Sequence, residues 1–405
     1  MENTLKLFDL ALGLHEPWRV GSCDFSADRH RLDLRLVFTE GWRFSCPSCA
    51  AKGCPVHDTI EKEWRHMDFF QHQAFIKAKV PRVRCENCGV KQVMVPWARP
   101  GSGFTLLMEA LIMELVKHMP VLPLARLLGV SDNRIWRVIG HYVEEAMAAL
   151  DMSLVREVGV DETSARRGHD YITMFYDLTG RRLLHVAEGK DAETVAEFSK
   201  ALTGHLGDPS LVAEVSCDMS PAFIKGVTEN LPQAQVNFDK FHVVKLLTDA
   251  VDKVRRNEMR TDKTLKGSRF SLIKNPENLT KNQRDLLADV QARNAKLAEA
   301  YRLKETFRDF YKQPDRESAH GLLKGWVTNA LSCGIPAMVS AAKTIRAKWA
   351  GIIRWHETHI TNAVMEALNS LVQAAKRKAR GYRTIKNLRL MAFLIAGKLN
   401  LKIAA

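Results

Sequence analysis

The chain has 405 residues, 46% hydrophobic and 26% charged, with a formal net charge of +14 and a pI near 9.4. That length predicts two to four domains rather than one core. No apolar run is long enough to span a membrane, and eight cysteines are too few for a disulfide scaffold. The opening "MENTLKLFDLALGLHEPW" carries acids where a secretory signal would be basic and then apolar. A cytoplasmic protein without a membrane partner is therefore expected.

Residues 1–100 contain "RLDLRLVF", "AFIKAKVPRVRC" and "KQVMVPW", short segments that predict a small β-rich module. "CPSC" and "CENC" place Cys46, Cys49, Cys85 and Cys88 in two CxxC turns. Each turn aims two thiolates at one point, and two turns complete the tetrahedral soft-ligand site that zinc prefers. Cys54 and His57 in "CPVH" are possible competitors, and buried thiols without metal are the plainer alternative. "ARPGSG" at 98–103 reads as a linker.

Residues 101–150 are predicted to be helical. "VLPLARLLGVSDNRIWRVIGHYV", 121–143, has helix-turn-helix spacing. Ala125 is small where two helices would touch, Gly129 supplies a positive φ, and Ser131 can cap the second helix. Asn133, Arg134 and Arg137 then face outward, where a major groove would be read. An ordinary helical hairpin is the alternative.

Residues 151–257 alternate, with strands predicted at 156–161, 170–178, 181–187, 211–217 and 234–238. Helices are predicted at 191–205, 220–231 and 239–256, which makes an α/β order. Residues 258–350 are polar and helical without a strand, and 351–405 hold one long helix, 355–380, with a basic tail. The 39 residues after Glu366 contain nine Lys or Arg and no acid, a bias that favours a polyanion. Trp326 and Trp355 could stack on bases or simply pack in a core.

Two apolar strands end in acids, Asp161 and Asp218. If the first and fourth strands lie side by side, these acids meet. In "TNAVMEALNSLVQAAKRKARG", Val364, Leu368, Leu371, Val372 and Ala375 form an apolar stripe, with Glu366 the single acid on the opposite face. Lys376, Arg377, Lys378 and Arg380 follow it. Three converging carboxylates suit a pair of magnesium (or manganese) ions acting on a phosphodiester. Taken singly, each acid is as readily a cap or a solvated side chain.

The sequence resembles the insertion-sequence transposases of the ISL-three type along nearly its whole length. The resemblance rests on "CPSC…CENC", the helix-turn-helix, "VGVDETSARRGHDYITMFYDL", "VSCDMSPAF", "VNFDKFHVVKLLTDAVDKVRR" and "AVMEALNSLVQAAKRKARGYRTIKNLRL". It implies an α/β ribonuclease-H-like core with a DDE triad, Asp161, Asp218 and Glu366, and a helical insertion before the last catalytic helix. It also implies His242, with Asp239 nearby, as a supporting position. Glycine and asparagine would follow the glutamate; here Ala367 stands for the glycine and Asn369 is kept, while Glu357 lies upstream as a competing acid. Implied partners are terminal inverted repeats and target DNA, bound by at least a dimer. The rivals are a zinc and helix-turn-helix regulator without catalysis and a nuclease that cuts without joining.

Overall fold

The computed structural model describes residues 2–166 and 170–403. Positions 167–169 of the motif around Asp161, and 404–405 of the basic tail, lie outside it. The chain divides into two compact units, Met1–Met147 with Leu399–Ala405, and Ala148–Lys398.

In the first unit, helix α1 (Glu2–Ala11) precedes strands β1 (Trp18–Ser26), β2 (Arg31–Phe38), β3 (Val56–Arg65), β4 (Gln73–Cys85) and β5 (Gly89–Gln92). The sheet order is β1-β2-β4-β3, with β5 on β4. Strand β2 buries Leu32, Leu34 and Leu36 in strict alternation, as a half-buried strand must. Ile76, Ala78 and Val80 of β4 meet them on a core completed by Trp18, Trp64 and Trp97. Strands β1 and β3 lack a clean alternating pattern, which is why sequence periodicity passes over them.

Three helices follow, α2 (Leu106–His118), α3 (Val121–Leu128) and α4 (Asp132–Ala148). Gly129 turns the chain between α3 and α4 at φ 64°, and Ala125 is buried at the crossing. The "ARPGSG" segment is not a loose tether. Fully buried Glu109 of α2 accepts from Arg99 Nε (2.9 Å), Ser102 Oγ (2.6 Å) and Tyr142 Oη (2.9 Å), tying segment, α2 and α4 together. Glu109→Ala should cost this unit about 3 kcal/mol, because it leaves a half-buried guanidinium and a buried phenol without their acceptor. A denaturation midpoint within about 0.5 kcal/mol of the parent's would contradict that role.

The second unit is built on β6 (Glu157–Ser164), β7 (Tyr171–Asp177) and β8 (Arg182–Glu188). Helix α5 (Ala192–Gly204), β9 (Glu214–Cys217), α6 (Pro221–Asn230), β10 (Gln235–Phe238) and α7 (Lys240–Glu258) continue it. The sheet order is β10-β9-β6-β7-β8. Strands β6, β9 and β10 run parallel; β7 and β8 are antiparallel. Strand β7 is buried at six of its seven positions, the near-continuous burial of a central strand.

Five helices intervene: α8 (Arg269–Ile273), α9 (Lys281–Arg293), α10 (Ala295–Arg308), α11 (Arg316–Ser332) and α12 (Pro336–Ala347). The chain then returns to the sheet through α13 (Trp349–Ile353), α14 (Trp355–Thr358), α15 (Ala363–Lys378) and α16 (Ile385–Ala396). Trp326 is 4% exposed and donates to Leu303 O at 2.7 Å, so it is a core residue. Half-buried Trp355 stands edge-on to Tyr311, His356 and His359.

The single helix expected over 355–380 is interrupted. His359 adopts a left-handed φ of 50°, and α15 begins only after Asn362. The cause is anchoring: Thr358 Oγ1 reaches Asn237 Oδ1 (3.2 Å), and Ser216 Oγ donates to Asn362 Oδ1 (2.9 Å). These bonds hold the chain against β9 and β10 where a straight helix would pass above them.

Candidate active site, metal centre and nucleic-acid interface

The parallel register pairs Gly159 of β6 with Ser216 of β9. Two residues on, Asp218 lies just past the end of β9. Asp161 is inside β6, which runs on to Ser164 paired with β7 and so outlasts the strand expected to end at the acid. Asp161 stands where β9 stops covering the edge of β6, on the face of Gly159. Helix α15 lies over that face. A Cβ on Gly159 would stand 2.2 Å from Met365 Sδ, so only glycine admits the helix this close. Asn369 Nδ2 donates to Asp161 Oδ2, and Gln373 Nε2 to Thr163 Oγ1. Contacts thus advance two residues along the strand for every four along the helix. Two strand residues rise about 6.6 Å and four helical residues about 6 Å, so strand and helix stay in step.

This docking face differs from the apolar stripe read in the sequence. Met365 and Val372 are buried, whereas Leu371 is half exposed. The strands here offer Asp161, Thr163 and Ser216, so amide side chains make the better seam. Glu366 lies one turn beyond Asn362 and one turn before Asn369, exposed at the rim of the same face. The competing Glu357 is held elsewhere, by Arg354 (2.6 Å) and Arg316 (2.9 Å). Arg354 also grips Glu214 at the start of β9, so this group braces the sheet.

Burial pushes the Asp161 carboxyl up to about 6, and the charge of nearby Asp218 adds to the rise. The Glu162 N–H (2.9 Å to Oδ1), His242 and Asn369 oppose it. Asp218 accepts from Ser220 N at 2.9 Å, which fixes the turn into α6. His242 stands in the first turn of α7 with Nδ1 3.5 Å from Asp239 Oδ2. Asp239 is 5% exposed, and burial raises its carboxyl against the facing Phe241 and His242 N–H groups and the Asn362 amide. Sequence reading missed Tyr176, which looks like one more core aromatic of β7. Its Oη donates to Asn369 Oδ1, so Tyr176, Asn369 and Asp161 form a chain.

The donors suit a hard divalent cation. All are carboxylate oxygens, and Asp161 is a half-buried acid whose desolvation a bound cation would offset. Asn369→Ala removes a hydrogen bond to the ionised form of Asp161, so the carboxyl should titrate higher still. An NMR titration of that carboxyl in parent and variant checks this, and an unshifted midpoint would rule the contact out as a control on Asp161.

In the first unit, the Sγ atoms of Cys46, Cys49, Cys85 and Cys88 lie within 4.8 Å of one another, and Cys49 and Cys85 are 3.5 Å apart. About 3.8 Å separates ligands in a zinc–thiolate tetrahedron. The backbone N–H groups of Cys49 and Ser48 draw the Cys46 thiol down, which favours a thiolate. These four soft donors fit a structural zinc. Cys54 Sγ lies 3.5 Å from Ala51 O and borders the cluster at Cys85, its thiol pushed up by burial and by its cysteine neighbours, while His57 meets Arg84 at 3.1 Å; the group within 4.8 Å is the four cysteines. Among the described residues this is the single group of three or more Cys, His, Asp or Glu with that spacing; the carboxylates of the second unit stand further apart.

Asn133 and Arg137 are exposed on α4. Arg134, expected beside them, is half-buried: its guanidinium lies 4.0 Å from the Phe104 ring and donates to Gly103 O at 2.7 Å. It fastens α4 to the preceding segment. Of the cations after Glu366, Lys376 donates to Ser164 O, while Arg377 and Arg380 are exposed.

Comparisons with known proteins fall on these same regions. A family model for the DDE transposase domain of the ISL3 type matches residues 158–392. The helix-turn-helix domain of transposase family ISL3 matches 93–143. The zinc finger of transposases IS204/IS1001/IS1096/IS1165 matches 42–88. The chain is 29% identical over 366 residues to the transposase for insertion sequence element IS1557 of Mycobacterium tuberculosis, covering 82% of this chain and 81% of that one. It is 26% identical over 349 residues to the transposase for insertion sequence element IS1001 of Bordetella parapertussis, covering 84% and 85%.

Proposed function

This chain belongs to the ISL3 family of transposases, DNA-binding enzymes that cut and join DNA, and from that premise we propose how its residues divide the work. Asp161, Asp218 and Glu366 are the catalytic carboxylates on a ribonuclease-H-like core. The observation that supports this is the step-for-step docking of α15 on β6, which lays the helix that carries Glu366 against the strand that carries Asp161. The order β10-β9-β6-β7-β8, with one antiparallel hairpin beside three parallel strands, supports the fold assignment.

Asp161, Asp218 and Glu366 would hold two magnesium or manganese ions. Bound there, the cations supply charge stabilisation to the scissile phosphodiester and a lowered pKa for the attacking water or DNA hydroxyl. Asn369 and Tyr176 keep Asp161 pointed inward. His242, backed by Asp239, is placed to exchange a proton at the edge of the site. Asn133 and Arg137 read the terminal inverted repeats. Lys376, Arg377, Lys378 and Arg380 hold backbone phosphates of end or target DNA, a contribution that weakens with salt. Two ends must be joined together, so the working form on nucleoid DNA is at least a dimer.

A donor plasmid bearing the inverted repeats that bracket the coding sequence, incubated with the protein, a second plasmid and Mg²⁺, should yield strand-transfer products. Cleaved ends without joined products would favour a nuclease, and binding without cleavage a regulator.

A further inference from the structure

We propose that the cavity at the far end of α15 seats DNA-backbone phosphates about three to six nucleotides from the bond that is cut; this rests on the catalytic assignment above. The cavity has a volume of 720 Å³ and lies between residues 164–166, at the end of β6, and residues 373–383. Arg166, Lys376, Arg377, Arg380 and Arg383 line it. Among the described residues no carboxylate lines it, and none of the five cations has an acidic partner there.

Five like charges around one cavity repel each other, and nothing in the apolar core requires them to gather. Two are tethered without being neutralised. Lys376 Nζ donates to Ser164 O, and the Arg166 guanidinium to Arg383 O. These bonds join the two walls before any ligand arrives, which lowers the ordering cost of binding. Helix α15 ends here: Arg380 and Gly381 take left-handed φ values of 57° and 95°, and Gly381 N–H bonds Lys376 O at 2.9 Å. That turn folds 380–383 back over the helix end. A helix C-terminus does not itself attract anions, so the recognition belongs to the guanidinium groups, whose planar forks match phosphate oxygens.

The fold sets the register. From Glu366 to Lys376 and Arg380 the helix rises about 15 and 21 Å. From Asp161 to Ser164 the strand rises about 10 Å. One DNA strand advances about 3.4 Å per nucleotide, which gives the stated spacing. Sequence reading placed the basic run on DNA but not Arg166 or Arg383, which reach it from other segments.

The test measures binding of the full chain to an end duplex in which single phosphates are replaced, one at a time, by neutral methylphosphonates. Within about eight nucleotides of the cleavage point, outside the repeat read by the helix-turn-helix, binding should weaken at least about five-fold for replacements some three to six nucleotides away and little for the others. That sensitivity should vanish in the Arg377→Gln, Arg380→Gln double variant. On random-sequence duplex the double variant should flatten the slope of log K against log salt by about 1.8. Lys324→Gln with Lys343→Gln removes equal charge from exposed positions of α11 and α12 and should leave the profile in place. A flat profile in the parent, an unchanged one in the arginine variant, or one equally erased by the lysine pair overturns the proposal. Should circular dichroism show the double variant misfolded, Arg383→Gln alone carries the test, with a slope change of about 0.9. Failure of the catalytic assignment reads differently: an Asp161→Asn chain that still cuts removes the triad, while the phosphate profile, read as binding, is measured independently.

Discussion

Replacing Asp161 by asparagine is expected to slow DNA end cleavage by about a thousand-fold or more while leaving end binding within a few-fold of the parent. A thousand-fold corresponds to about 4 kcal/mol of transition-state stabilisation, modest for the loss of one anionic oxygen at the reacting phosphodiester. The structure gives the same substitution a second, opposite signature. The folded-state carboxyl titrates near 6, above its ordinary 3.8, because it is buried beside Asp218. The folded chain therefore holds its proton more tightly than the unfolded chain, and stability falls as pH rises from about 4 to 6. At pH 7 without divalent cation the ionised group is a net cost, so Asp161→Asn should stabilise the second unit by about 1–2 kcal/mol after allowing for partial solvent screening. Cation and proton compete for the same oxygens. In the parent, cleavage should accordingly fade as pH drops through about 6, with the midpoint moving lower as Mg²⁺ rises. Undiminished cutting by the variant, or an acid limb indifferent to Mg²⁺, would remove Asp161 from the reaction.

Stripping zinc should have a large but confined effect. One zinc per chain is expected, and structural zinc sites contribute on the order of 10 kcal/mol to the segments they organise. Those segments are short. Cys46 and Cys49 sit in one turn and Cys85 and Cys88 in another, and β5 is exposed at all four positions. Strands β2 and β4, by contrast, keep their own core of Leu32, Leu34, Leu36, Ile76 and Val80 beneath three tryptophans. The metal is therefore not the sole support of the module. After chelation, or in Cys49→Ala, amide exchange should accelerate by more than about a thousand-fold at 43–57 and 86–92. Residues 31–38 and 74–83 should keep most of their protection. Uniform loss across the sheet, or none anywhere, would overturn this division.

What the sequence discloses here follows the range of the forces involved. The strands carrying Asp161 and Asp218 are buried at their starts, and local apolar patterning locates both; Asp218 does follow its strand, but β6 runs three residues past Asp161 because β7 pairs with it, which no local pattern shows. Gly129 is legible because only a left-handed turn needs it. The break at His359–Asn362 is not, since bonds to Ser216 and Asn237, over a hundred residues away, create it. The face that α15 presents was misread for a related reason. Helical periodicity locates an apolar stripe, but the surface beneath α15 is hydroxyl and carboxylate, and amides win there. Arg134 looked like a reader of bases because nothing local shows that Phe104 and Gly103 would claim it.

The matched rise of β6 and α15 has a consequence for tolerated change. One residue inserted or lost between Asn362 and Gln373 turns everything beyond it by about 100°, so either Asn369 could not serve Asp161 while Asn362 kept Ser216, or Gln373 could not serve Thr163 while Asn369 kept Asp161. The joints among α8 to α12 carry no such phase relation, and lengthening them adds only a slowly growing entropic cost. Natural drift in chain length should therefore gather in the intervening helices, while the eleven-residue step from Asn362 to Gln373 stays fixed, as teeth on meshing racks must.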